Sequence, residues 1–73
     1  MRVLGIDDLD PDGVPILIAW DRMRIGDSVF IPCVNTSAAR KQLKGVFARR
    51  GWQSRVRILD ENHIWGLRIW RVA

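Results

Sequence analysis

Two runs near the C-terminus, Gln53-Ser54-Arg55-Val56-Arg57-Ile58-Leu59 and Ile64-Trp65-Gly66-Leu67-Arg68-Ile69-Trp70, alternate apolar and polar residues and flank Asp60-Glu61-Asn62-His63. A period of two sends successive side chains to opposite faces of a strand. Two such runs around a polar, turn-forming segment specify a β-hairpin. Taking the four polar residues as the loop pairs Leu59 with Ile64. Ile58 then faces Trp65, Val56 faces Leu67 and Ser54 faces Ile69, which gives one apolar face. The other face pairs Arg57 with Gly66, Arg55 with Arg68 and Gln53 with Trp70. A slip of one residue would turn the apolar set into water. Like charges directly opposite destabilise a sheet, so Arg55 against Arg68 calls for a counter-charge from elsewhere.

Upstream lies one convincing helix. Asn35-Thr36-Ser37 is a cluster of N-cap residues and Gly51 a natural stop, which predicts a helix over about Ser37 to Arg50. Ala39, Leu43, Val46 and Phe47 share a stripe about 100° wide. Arg40, Lys41, Lys44 and Arg49 occupy the remaining circumference. Gly45, opposite the stripe, costs about 1 kcal/mol against alanine, so the helix depends on a sheet to hold it. Ser28 to Val34 is β-rich, but Pro32 has no N–H for a ladder and restricts it to an edge strand or a strand end. Gly26-Asp27 is a turn signal. Ile16-Leu17-Ile18-Ala19-Trp20 is an apolar run of strand length. Residues 1–13 read as an acidic N-terminal arm or an edge strand, with Pro11 and Gly13 marking a turn, and residues 14–73 as the basic body of a single domain. The expected class is α+β: a small, mainly antiparallel sheet with one helix on one face and a C-terminal hairpin.

A 73-residue chain with one cysteine, Cys33, forms no internal disulfide. Apolar packing must therefore hold the fold. The 48% hydrophobic content and four tryptophans make that feasible. A lone cysteine in an apolar run suits a reducing compartment. The N-terminal residues lack the long apolar stretch of a signal peptide, and no run reaches transmembrane length. The chain is expected to be soluble, cytosolic and free of membrane contact.

Charge is distributed unevenly. Arg2 against four aspartates leaves residues 1–12 at −3, so residues 13–73 carry +7 of the chain's net +4. Between Ser28 and Leu59 lie seven cations and no acid. Such a field raises encounter rates with nucleic acids and acidic protein surfaces alike.

Catalytic and metal chemistry find little footing. Asp8-x-Asp10-x-Asp12-Gly13 matches the first half of a calcium loop, but the twelfth position is Ala19 and Pro11 sits where the loop must bend. His63 stands alone in a turn, far in sequence from Cys33, with no structural zinc spacing. There is no glycine-rich phosphate loop and no nucleophile with its base and orienter. The sequence therefore reads as non-enzymatic, with no metal, cofactor or small-molecule substrate.

The binding reading rests on the polar face of the hairpin. Arg55, Arg57, Arg68 and Trp70 interleave guanidinium groups with an indole, and Arg40, Lys41 and Lys44 on the helix form a secondary basic patch. Such a face holds phosphates and stacks bases. It equally grips carboxylates and anchors a tryptophan in a protein groove. The absence of tyrosine, of an aromatic-rich RNA-binding strand motif and of a second helix for a helix-turn-helix reader favours protein. Direct binding of single-stranded nucleic acid or DNA remains the alternative, with inhibition of a defence protein as a third class.

Arg24-Ile25-Gly26-Asp27-Ser28-Val29-Phe30-Ile31-Pro32, the basic Phe47-Ala48-Arg49-Arg50-Gly51 and the terminal Gly66-Leu67-Arg68-Ile69-Trp70-Arg71-Val72 together resemble a class of small tailed-phage proteins over about residues 24 to 72. Within that class, length, basic character and arginine and tryptophan usage most resemble the small transcription regulators of Xanthomonas phages. The resemblance implies a partner, bacterial RNA polymerase, bound through its β′ subunit in the host cytoplasm. It implies inhibition of initiation at host promoters and read-through of terminators. It assigns no contact residue.

Overall fold

The computed structural model describes residues 7–73, so the apolar piece at positions 3–6 lies outside the described residues. A short 3-10 turn, Trp20–Arg22, precedes strand β1 (Ser28–Pro32), helix α1 (Thr36–Arg50), strand β2 (Ser54–Glu61) and strand β3 (Ile64–Arg71). The strands form one antiparallel sheet in the order β1-β3-β2, with α1 against one face. The class is α+β, as the sequence indicates, and Pro32 ends an edge strand.

The helix boundaries follow from local chemistry. Asn35 caps α1 by accepting a hydrogen bond from the Ala38 N–H at 3.1 Å. Gly51 closes it in the left-handed region, φ 69°, where a side chain is costly. The predicted stripe of Ala39, Leu43, Val46 and Phe47 is buried and meets Ile31, Leu67 and Ile69 of the sheet in one core with Leu9, Trp20, Met23 and Cys33. Phe47 stands edge-on between Trp20 and Trp52, with ring centres 5.7 and 5.6 Å away.

The hairpin keeps its predicted faces and changes its register. Its loop is the two residues Asn62 and His63, both at positive φ (54° and 66°), as a type I′ turn requires. The strands accordingly extend to Glu61↔Ile64, and every pair moves by two residues: Ile58 faces Leu67, Val56 faces Ile69, Arg57 faces Arg68 and Arg55 faces Trp70. A shift of two preserves parity, so the arginines stay off the core face. Trp65 now faces Asp60, not Ile58, and is half exposed.

The run Ile16–Trp20 forms no sheet strand. Its one ladder contact is a bridge from Ile16 to Leu9, and the chain then winds into the 3-10 turn. Both sides of the central strand β3 are taken by β1 and β2, and the run takes no part in the three-stranded sheet. The acidic segment packs onto the body: Leu9 is fully buried, and Asp12 accepts the Val34 and Asn35 N–H groups at 2.8 Å each.

Candidate partner-binding cleft

The face of the sheet turned away from α1 is built from alternate residues of all three strands. Its rows across the sheet are Ser28–Trp70–Arg55, Phe30–Arg68–Arg57 and Pro32–Gly66–Leu59. Arg57 and Arg68 lie directly opposite each other, a repulsive pairing that needs an acid close by. Glu61 supplies it. Its two carboxylate oxygens accept from Nε and Nη2 of Arg68 at 2.6 and 2.7 Å, and Nη1 of Arg68 donates to Ser28 Oγ at 2.8 Å. The Arg68 guanidinium also lies over the Phe30 ring, 5.8 Å from its centre. The hydrogen bond from Arg68 holds the Glu61 carboxyl below its ordinary pKa, and that to Glu61 raises Arg68. The counter-charge expected from elsewhere is therefore the hairpin's own, and Arg68 is committed inside the protein.

The same pattern disposes of the cations at the end of α1. Asp7 accepts from Arg49 at 2.8 and 3.0 Å and from Arg50 at 3.2 Å, while Asp21 accepts from Arg50 at 2.9 Å. Hydrogen bonding from Arg49, helped by its charge and by the hydrogen bond and charge of Arg50, outweighs desolvation and lowers the Asp7 pKa. Trp52 lies between two guanidiniums, Arg71 at 4.0 Å and Arg50 at 5.2 Å from its ring centre. The acids of the N-terminal segment thus neutralise the helix end and leave the arginines of β2 alone.

Arg55 and Arg57 make no ion pair or hydrogen bond through their side chains among the described residues, and both are exposed. They stand at successive same-face positions of β2, about 6.8 Å apart along the strand. With the half-buried Trp70 they border an open cleft of about 550 Å³, whose apolar wall is Ile25 and Val72 and whose rim is Gly26. The turn that brings Ile25 there is fixed by Gly26 at φ 94°, by Arg24 N–H donating to Asp27 Oδ2 at 2.9 Å, and by Gly26 N–H donating to the Arg71 carbonyl at 2.7 Å. Two such guanidiniums beside an indole and an aliphatic wall have the chemistry to hold an anionic group with an apolar part.

Of the residues singled out in the sequence, the structure gathers Arg55, Arg57 and Trp70 and withdraws Arg68. Arg40, Lys41 and Lys44 are exposed on α1, which covers the opposite face of the sheet, so the two basic patches do not share a surface. Ile25 and Val72 escaped notice in the sequence. The turn signal at Gly26-Asp27 was the available clue, but only the pairing of β1 with β3 carries that turn over Trp70. The half-calcium motif disperses: Asp10 binds the Gln42 side chain and Asp12 caps main-chain N–H groups. Burial raises the Cys33 thiol pKa, and the side chain belongs to the core. Among the described residues no group of His, Cys, Asp and Glu is placed to hold a metal ion, and no helix is long and apolar enough to cross a membrane. In comparisons with known proteins, no family model, curated protein or solved structure matches the chain.

Proposed function

We propose that this chain is a non-enzymatic binding protein that docks on an acidic protein surface through Arg55, Arg57 and Trp70. Following the sequence resemblance, that surface belongs to bacterial RNA polymerase in the host cytoplasm, where the bound chain inhibits promoter initiation and favours read-through of terminators. The observation that carries the docking reading is the accounting of charge on the sheet. Arg68, Arg49 and Arg50 are matched by the protein's own acids, whereas among the described residues Arg55 and Arg57 are not and border an apolar cleft. Two desolvatable guanidiniums with no internal partner are a standing incentive to meet carboxylates. A factor of this kind acts by occupying a site or biasing a conformation of its target, with no chemistry of its own.

Affinity capture from bacterial lysate, with and without nuclease, tests this. Polymerase subunits identified by mass are expected to survive nuclease and to be lost with the Arg55→Glu/Arg57→Glu chain. Trp70 beside two guanidiniums also fits single-stranded nucleic acid, by stacking a base and holding phosphates. Loss of every captured protein after nuclease would transfer the assignment to that reading.

A further inference from the structure

We infer that the partner presents an extended acidic segment, which adds to the free edge of β2 as a fourth strand and sets alternate carboxylates opposite Arg55 and Arg57. The inference rests on the docking reading above and deepens it to the chemistry of the partner. It begins with the direction of the main-chain groups. Val72 N–H donates to the Gln53 carbonyl at 2.9 Å, and Gln53 N–H donates toward Ala73, so Gln53 turns its main chain toward β3. In an antiparallel ladder this orientation alternates. Arg55, Arg57, Leu59 and Glu61 therefore also point their N–H and C=O groups at β3. Val56, Ile58 and Asp60 point theirs outward. The two-residue turn gives the same parity, because Glu61 and Ile64 close it as a hydrogen-bonded pair.

Among the described residues nothing pairs with that outer edge. An unpaired edge is a template for another strand, and charge decides which strands it accepts. An added strand in register places same-face residues about 6.8 Å apart along its length and within about 5.5 Å of their cross-strand partners. Carboxylates at alternate positions then meet Arg55 and Arg57 on the outer face. The main chain meets the outward groups of Val56 and Ile58, and the half-exposed Ile58 side chain is covered on the helix side. Near the turn, Asp60 and Glu61 reject further acid, which confines the acidic pair to the Arg55–Arg57 half.

A second copy of this chain fits less well. Antiparallel pairing of two β2 strands sets arginine against arginine in some registers. The register that opposes Arg55 to Glu61 calls on a carboxylate whose two oxygens are already taken by Arg68. Nucleic acid offers no main chain to complete the ladder.

The test is fluorescence anisotropy on the full chain with a short end-capped peptide of alternating aspartate and valine, against the same peptide with lysine for aspartate. The aspartate peptide is expected to bind and the lysine peptide not, and the Arg55→Glu/Arg57→Glu chain should reverse that preference. Ile58→Pro removes one outward N–H and leaves the β2–β3 ladder whole, so it should weaken the aspartate peptide roughly tenfold with an unchanged circular dichroism spectrum. A chain assembled chemically with an N-methylated Ile58 makes the same cut if the proline variant does not fold. Equal affinity of the parent and edge-blocked chains would overturn the inference and leave the docking reading standing, because binding would then be to the face. Equal binding of the two peptides, tighter binding of a single-stranded oligonucleotide at the same residues, or a free chain that sediments as a dimer sealed at β2 would also overturn it.

Discussion

Gly66 occupies a point on the central strand where the neighbouring strand leaves no room for a side chain. A methyl group there would collide with the Ile31 carbonyl oxygen and come within 2.8 Å of the Phe30 ring. Gly66→Ala should therefore cost about 2–3 kcal/mol in urea denaturation, through forced separation of β1 from β3; an unchanged midpoint would contradict the close approach of the Ile31 main chain to Gly66. Two residues further on, Arg68 depends on Glu61. Because hydrogen bonding from Arg68 lowers the Glu61 pKa in the folded state, the folded protein holds fewer protons there than the unfolded chain. Its stabilisation is present above the ordinary carboxylate range and is lost as the pH falls through and below that range. Asp7, lowered by Arg49 and Arg50, contributes with the same sign. Glu61→Gln should flatten the acid limb of a stability–pH curve without abolishing it, since the share of Asp7 remains. An acid limb identical to the parent's would show that Glu61 is not the counter-charge of Arg68.

At the scale of elements, the helix was the most legible part of the sequence because its signals are local: a cap at Asn35, a stripe of four apolar residues and a glycine stop. Gly45 is the exception to its good chemistry. A methyl group at that position meets chiefly the Arg49 guanidinium, 3.1 Å away, which has to give only slightly, so Gly45→Ala should raise stability by about 0.5–1 kcal/mol. A decrease in thermal midpoint would mean that the Arg49–Asp7 contact is worth more than the propensity gained. The hairpin was legible in its faces and not in its register. Parity is written in the alternation of Val56 and Ile58 with Arg55 and Arg57, whereas register is set by the turn. Asn62-His63 lacks the glycine that usually marks a two-residue type I′ loop, and a histidine at φ 66° is not suggested by composition. Ile16 to Trp20 misled for a different reason. Its apolar content is that of a strand, but whether such a run joins a sheet depends on strand pairing, and the order β1-β3-β2 is a long-range fact that no window of residues contains.

Among the described residues, three groups of cations stand apart: a neutralised end of α1 held by Asp7 and Asp21, an exposed helix surface bearing Arg40, Lys41 and Lys44, and the cleft side of the sheet with Arg55 and Arg57. The sequence displayed the excess of cations without showing which were spent, because the pairing acids, Asp7 and Glu61, reach their arginines only through the fold. This sorting makes the two basic surfaces separable by mutation. Glu substitutions at Arg40, Lys41 and Lys44 lie behind the sheet from the cleft and should leave capture of the proposed partner unchanged at moderate salt, apart from slower association. Substituting Trp70 by alanine should weaken the complex by about 2 kcal/mol, because an indole lining a cleft beside guanidiniums is the kind of group that anchors an interface. Salt separates the macromolecular classes within the same experiment. Phosphate contacts weaken log-linearly with salt at a slope set by the number of ions released, whereas a cleft contact anchored by Trp70 persists once the steering charges are screened. A folded Trp70→Ala chain that binds as tightly as the parent, or a helix triple variant that alone abolishes capture, would move the functional surface from the sheet to α1.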